Sequence, residues 1–474
     1  PDPHDQAVSR QPGDDARPAI SPISIDECHR MFRRWLGDAY DLDALNAVLA
    51  TAAAERLEGD PLWLLVISGS GNAKTELVQS LRGIGAHLTS TISSEGALLS
   101  GTPKRQQARN ATGGLLREVG ERGMLVIKDV TSILSMNRDT RQSVLAAIRE
   151  IHDGRWTRHL GSDGGRTLEW SGRITIVGAV TTAWDTHHSV IASMGDRFLI
   201  VRTDSTVNRL EAGRQAMANT GHEEQMRREL SDAIAGVLAR TGDEGEISDA
   251  ESDLLLAAAN LVTRARTAVE FDYRGDVVDA HAPEMPTRFA KQLTQLVHGA
   301  LLIGLDRDHA MRLAIRCARD SMPPLRLMIV DDVASYPNAT VAEIRKRANK
   351  PRATIDRQLQ ALHMLGVIDV AEEPRPQGGT VWRYRLSADI DPAAIHVPDK
   401  LDDTLIPSRR EINGSDGTNR DTSNISGTSI DPDDPEFDPE LYAPDGEPWC
   451  RPDGKGGCLN ASRCRNLAHR GPRS

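Results

Sequence analysis

The stretch Trp63–Leu81, WLLVISGSGNAKTELVQSL, constrains the fold more than any other part of the chain. An unbroken apolar run gives way to a glycine turn, and the turn opens directly into an amphipathic helix. The same alternation recurs from Leu62 to Asp204, with strand candidates at Leu62–Ser68, Met124–Lys128, Arg173–Val180 and Phe198–Arg202. Short apolar runs separated by helical segments are the signature of an α/β layer with a parallel sheet.

At 474 residues the chain exceeds one ordinary domain, so two or three are expected. Residues 1–24, rich in Pro, Asp and Arg, are expected to be disordered. Two amphipathic helices follow up to about Glu58, with Asp41 as N-cap of the second, and lead into the α/β domain (25–205). Residues 206–324 read as helix after helix, a helical lid with connecting helices. A compact segment at 325–388 has its own pattern, residues 389–447 form an acidic linker, and 448–474 a cysteine-bearing tail. No apolar run reaches the roughly 20 residues of a membrane span, and no signal peptide opens the chain, so a cytoplasmic location is expected. The net charge of −11 argues against coating nucleic acid by bulk charge; any DNA contact must come from a local basic patch.

A phosphate loop works because consecutive backbone N–H groups line a concavity at a helix start. Here Gly69, Ser70, Gly71, Asn72 and Ala73 supply that backbone. Lys74 is placed to reach the β/γ-phosphates, and the Thr75 hydroxyl to hold Mg²⁺. Ser68 stands where the first glycine belongs and Ala73 where the last does. A plain glycine-rich turn is the bland alternative. An acid at the end of a neighbouring strand is also needed, and "GMLVIKDV" offers Asp129 after Lys128. Asp129 serves either the metal, leaving Val130 where a catalytic Glu would stand, or the base position, with Lys128 replacing the metal-side acid. Both arrangements put fast hydrolysis in doubt, and Glu95 and Glu150 are substitute carboxylates to be located.

Further along, Thr181 and Thr182 end the strand "RITIVGAVTT", Arg197 opens the last strand in "SMGDRFLIVR", and Arg288 opens a helix in "EMPTRFAKQL". Ala73-Lys74, the Gly-Asp-Arg-Phe at 195–198 and the Pro-Thr-Arg-Phe helix start together resemble the minichromosome-maintenance-like branch of AAA+ ATPases. The whole chain is also similar to ATP-binding proteins of actinobacterial phages and mobile elements. The AAA+ resemblance covers about 60–330. It implies ATP and Mg²⁺ as cofactors and an oligomeric ring such as a hexamer. Thr181 would sense the γ-phosphate, Arg197 would reach the phosphate of a neighbouring subunit, and Arg288 would be a second sensor. It also implies a hairpin before the first sensor, which "GRWTRHLGSDGGRTLEW" (154–170) fits, with Arg155, Arg158, His159 and Arg166 as DNA-gripping candidates.

Residues 338–387 carry a different logic. A helix Val341–Ala348, a turn at Asn349–Pro351 and a helix Arg352–Leu365 are followed by a hairpin, Val367–Val370 and Thr380–Leu386. This resembles a winged helix-turn-helix domain, with Arg352, Thr354, Arg357 and Gln358 on the exposed second-helix face and Arg375 on the wing. DNA binding and protein–protein assembly both remain open for such a module. In the tail, Cys450, Cys458, Cys464 and His469 suit tetrahedral Zn²⁺, free thiols being the alternative. The function expected is an ATP-binding AAA+ protein acting on DNA, a helicase-like ATPase in replication of a mobile element. An ATP-gated initiator or regulator with little hydrolysis is the alternative reading, and an AAA+ scaffold for protein remodelling a third.

Overall fold

The computed structural model describes residues 20–71, 73–102, 111–161, 165–187, 197–204, 206, 208–240, 242–374, 379–391 and 394. Residues 1–400 group as one compact unit and 401–474 as another, and all described residues belong to the first. Asn72, Gly195, Asp196, Arg375, Cys450, Cys458, Cys464 and His469 lie outside the described residues, as do residues 1–19 and most of the linker.

Two helices open the described chain. Ser24 and Glu27 form a reciprocal cap at the start of helix Ile25–Leu36, which buries Ile25, Cys28, Phe32 and Trp35. Asp41 caps helix Leu42–Ala54 by accepting from the Ala44 N–H at 3.1 Å, as its position in the sequence predicts. From Ala44 to Ala54 that helix is buried on all sides.

Five strands form the central sheet: β1 (Leu64–Ile67), β2 (His87–Thr89), β3 (Arg122–Ile127), β6 (Arg173–Val180) and β7 (Leu199–Arg202). Their order is β2-β3-β6-β1-β7, and every pairing is parallel. Successive residues face opposite sides of the sheet. Leu64, Val66, Leu199 and Val201 enter one core cluster, while Leu65, Ile67 and Ile200 enter the other. Both faces are covered, which is why the strands read as continuous apolar runs rather than alternating ones. Each such fully buried side chain contributes roughly 1.5–3 kcal/mol. The strand β2, three half-buried residues long, escapes sequence reading because it carries no apolar run.

Between β3 and β6 lies an antiparallel hairpin, β4 (Arg155–Leu160) and β5 (Arg166–Ser171). Trp156 and Trp170 face each other across it and are both buried. The chain leaves it through Gly172, where a Cβ would stand 2.3 Å from the Glu121 carbonyl oxygen. Only a residue without a side chain can make that corner.

Beyond the sheet come helices Arg209–Ala218, Glu223–Leu238, Asp249–Ala265, Thr287–Leu302 and Arg307–Asp320. The helical reading of this region misses one feature, the hairpin β8 (Val269–Phe271) and β9 (Val277–Ala280). Its turn is held by the Asp272 carboxylate, which accepts from the N–H groups of Arg274 and Asp276 at 2.8 and 2.9 Å. Three more helices, Pro324–Ser335, Val341–Ala348 and Arg352–Met364, precede the hairpin β10 (Ile368–Pro374) and β11 (Thr380–Leu386). Ala339 bridges Tyr384 as a third edge of that hairpin. The buried Arg326 donates to the carbonyls of Ala265 and Thr267, both at 2.7 Å, and so anchors these helices on the end of helix Asp249–Ala265. Among the described residues no helix is long and apolar enough to cross a membrane.

Candidate functional site

The loop after β1 turns on two residues with positive φ, Gly71 at 84° and Ala73 at 51°. Ala73 therefore adopts the left-handed conformation that a glycine would take freely, at a cost of about 1–2 kcal/mol. The loop closes without the missing glycine. Helix Lys74–Gln79 begins at once and runs into a 3₁₀ turn, Ser80–Ile84. The Lys74 ammonium folds back over the loop and donates to the Gly69 carbonyl at 3.0 Å. Burial holds Lys74 below the ordinary lysine value, and the neighbouring Asp129 carboxylate pulls it part of the way back. Thr75 is exposed beside it, while Glu76 is gripped by both arms of Arg227 at 2.8 and 2.9 Å.

Asp129 follows β3, so it lies at the same edge of the sheet as the loop after β1. Its backbone N–H donates to the Ser90 carbonyl at 3.2 Å, and its Oδ1 accepts from the Thr131 N–H at 2.9 Å. The Thr131 hydroxyl in turn meets the Thr181 hydroxyl and the Thr181 N–H, each at 3.3 Å. Thr181 thus stands beside the acid. Sequence reading missed Thr131, although an Asp followed two residues later by a Thr is a recognisable turn signal.

Val130 is the residue that would stand in the place of a catalytic Glu if Asp129 serves the metal. It is 5% exposed, and its methyl covers Gly178, where a Cβ would lie only 2.8 Å from it. The backbone points this position into the core. Glu95 pairs with Arg158 at 3.4 Å, and Glu150 sits on the last turn of helix Arg138–His152, close to Asp153.

Arg197 lies elsewhere. It precedes β7, whose Leu199 is level with Leu64, whereas the loop follows Ile67, which is level with Arg202. Six residues of strand separate the two levels, about 20 Å at 3.3 Å per residue. Arg197 pairs with Asp153 at 3.3 Å, and its carbonyl accepts from Gln292, one turn beyond Arg288 on the same helix. Burial and the adjacent Arg288 keep Arg197 below the ordinary arginine value. Arg288 itself pairs with Glu284 at 2.9 Å, and Glu284 also takes Arg266 at 2.9 Å. His152 is buried against Trp63, with ring centres 4.9 Å apart, and burial lowers it to about 4. Asp153, despite a partial burial that works the other way, is held below the usual carboxylate range by Arg197 and His152. The structure therefore brings Arg197 and Arg288 together, and brings neither to the loop of its own chain.

The DNA-contact candidates divide in the same plain way. Arg155 is exposed and pairs loosely with Glu169 at 3.7 Å. Arg158 faces inward and donates to the Leu99 carbonyl at 2.7 Å. His159 meets the Thr167 hydroxyl at 3.2 Å, and Arg166 is half-buried. On helix Arg352–Met364, Arg352 is exposed and Thr354 half-buried. Arg357 instead donates to the Arg274 carbonyl of the β8–β9 turn at 2.8 Å, and Gln358 accepts from Arg326 at 3.1 Å. Sequence periodicity places all four on an open face; the β8–β9 hairpin, which it does not foresee, takes up Arg357, and Arg326 of helix Pro324–Ser335 takes up Gln358.

No family model matches this chain, and no curated protein does. Among solved structures, the apo C-terminal region of NrS-1 is 10% identical over 78% of this chain and 77% of its own, with a TM-score of 0.27. The Orc1 protein of Aeropyrum pernix in complex with DNA is 15% identical over 77% of this chain and 94% of its own, with a TM-score of 0.22. Likenesses of that depth carry no weight beside the geometry above.

Proposed function

We propose that this chain binds ATP with Mg²⁺ as an AAA+-type protein and acts on DNA as an assembly of several copies. One observation carries the reading: a lysine loop, an acid and a threonine converge at one edge of the parallel sheet, while two arginines gather about 20 Å away at the other. A chain that binds triphosphate at the first edge needs a neighbour's arginines to complete the site, and its own arginines, held by Asp153 and Glu284, stand at the edge that a neighbour's site would meet. Head-to-tail contacts of this kind close into rings. Lys74 would hold the β/γ-phosphates, with the loop N–H groups around them. The exposed oxygens of Thr75 and Asp129 suit a hard divalent cation, and Mg²⁺ bound there would neutralise phosphate charge. Thr181 would read the γ-phosphate, and Arg197 with Arg288 would face the phosphates of the next copy.

The DNA side of the proposal rests on helices Val341–Ala348 and Arg352–Met364 with the β10–β11 hairpin, read as a winged helix. The exposed Lys346, Lys350 and Arg352 form a local basic corner on a chain of net charge −11. A second reading, an ATP-gated DNA-binding switch with little turnover, is favoured by the buried Val130. Hydrolysis measured with and without single- and double-stranded DNA decides between them. DNA-stimulated turnover that Lys74→Ala abolishes supports the motor. Tight ATP binding without turnover promotes the switch, and failure to bind ATP at all sinks both.

A further inference from the structure

The ionised groups at the loop edge include a set with no role in holding a nucleotide, and it centres on Arg202. Arg202 ends β7 level with Ile67, and Val180 is level with Ile67 on the other side of β1. Two strand spacings, about 10 Å, thus separate the Arg202 backbone from the end of β6. The guanidinium spans that gap. Its Nη1 and Nη2 donate to Oδ2 and Oδ1 of Asp185 at 2.9 and 2.7 Å, and Asp185 sits on the one-turn helix Ala183–Thr186 that follows β6. Alternation along β7 puts Arg202 on the face of Ile200, away from helix Lys74–Gln79, whose Leu77 and Val78 belong to the opposite cluster. The fork therefore underlies the end of the strand that carries the loop.

Both ends of this brace are tied further. On one side the Arg202 N–H donates to Asp320 Oδ2 at 2.8 Å, its Nε to the Asp320 carbonyl at 2.7 Å, and its carbonyl accepts from Arg316 at 2.9 Å. Arg316 is itself forked onto Asp41 at 2.7 and 2.5 Å. On the other side the Ala183 N–H donates to the Thr181 hydroxyl at 3.4 Å, Thr181 meets Thr131, and the Thr131 N–H donates to Asp129. Hydrogen bonds joined by the short backbone stretch Ala183–Asp185 and by Thr131 itself thus run from Arg202 to the acid.

We propose that Arg202 is a positioning residue: its fork on Asp185 fixes the segment Thr181–Thr186 and, through Thr131, aims the Asp129 carboxylate, so that helix Arg307–Asp320 and the acid are held in one geometry. The metal in this inference rests on the ATP·Mg²⁺ reading; the brace does not. An arginine is required because only a planar fork makes two parallel bonds to one carboxylate.

Two measurements on the full chain test it. Hydrogen exchange without nucleotide reads the brace itself: in Arg202→Met, the amides of Thr131, Thr181 and Ala183 exchange about tenfold faster while helix Arg138–His152 keeps its protection. Binding of a fluorescent ATP analogue reads the consequence. Outer partners of a metal ligand are worth roughly 10–100-fold in metal affinity, so Arg202→Met needs about tenfold more Mg²⁺ for half-maximal binding. Arg202→Lys falls between, and Asp185→Asn, which spares the backbone ties to Asp320, shifts the same way. The double variant is no worse than Arg202→Met, because the two side chains act as one unit. Unchanged exchange in both single variants overturns the proposal, as do effects of the two substitutions that multiply. If the wild type binds no nucleotide, the ATP reading falls, and exchange still decides the brace.

Discussion

The two edges of the sheet hold their charged groups in opposite ways. At the loop edge Asp129 and Thr75 are exposed, and Lys74 lies over a loop with a strained residue. At the other edge the Arg197 side chain is 11% exposed, His152 only 3%, and the arginines are laced to Asp153 and Glu284. The first edge leaves its polar groups open to solvent, as a site that receives a ligand would. The second holds its arginines already positioned by carboxylates, the arrangement that, on the proposed reading, would favour charge developing on a partner's phosphate. On the proposed reading, each edge would work with the opposite edge of another copy.

The prediction with the largest effect breaks this comparison if it is wrong. Lys74→Ala and Arg197→Ala should each lower ATP hydrolysis by at least a hundredfold, an arginine of this kind being worth roughly 10³–10⁵. Mixed in equal amounts, the two inactive variants should recover activity. Random neighbours leave about one quarter of the sites with an intact loop from one chain and an intact arginine edge from the next. No recovery in the mixture would mean that one chain does not complete another's site.

The next prediction sharpens the contrast through pH. His152 titrates at about 4 when folded against 6.5 when free, so the unfolded chain takes up the proton first and stability is lost as pH falls from about 6.5 to 4. Asp320, beside Arg202, is raised by burial to about 6 from 3.8. Here the folded chain holds the proton longer, so stability is lost as pH rises from about 4 to 6. At 1.36 kcal/mol per pH unit each group contributes on the order of 3 kcal/mol, with opposite signs in one window. Urea midpoints between pH 4.5 and 7.5 should therefore diverge: His152→Gln stabilises the acid end relative to wild type, and Asp320→Asn the neutral end. Parallel curves for the two variants would show that these burials do not act as argued.

Smaller in effect is the test on the basic corner. Arg352→Ala should weaken duplex binding and lower the salt slope by about one, whereas Arg357→Ala, whose guanidinium is spent on the Arg274 carbonyl, should change neither. Equal losses would mean that the β8–β9 hairpin moves away when DNA binds.

Much of this arrangement was legible in the sequence. The strands β1, β3, β6 and β7 lie within a residue or two of their apolar runs, because burial on both faces leaves no other composition. That Arg197 cannot serve its own loop was also readable: a residue before one strand and a residue after its parallel neighbour must lie at opposite edges. The company of Arg288 was not readable, since it depends on how helix Thr287–Leu302 packs. Nor were Arg202 and Asp185, which meet across a strand that separates them only in space. The hold of the β8–β9 turn on Arg357 was hidden by the brevity of the two strands, which carry no buried run, and that of Arg326 on Gln358 depends on how two helices pack.

The smallest expected effect bears on where strain is stored. Among the described residues only Ala73, Asn208, Asn338 and Asn349 combine a side chain with positive φ, and none but Ala73 belongs to either edge. Asparagine tolerates that region, but alanine does so at a cost of about 1–2 kcal/mol. Ala73→Gly removes the strain and adds freedom to the unfolded chain worth about 0.5–1 kcal/mol, so the net gain in folding stability should be at most about 1.5 kcal/mol. Ala73→Val, with its branched Cβ, should lose more than Ala73→Gly gains, and thermal unfolding of both resolves the pair. If Ala73→Gly gains stability but weakens ATP binding, the strained alanine is holding the loop in its receiving shape. If binding is unchanged, glycine and alanine close the same loop, and the departure from the usual spelling is neutral for phosphate.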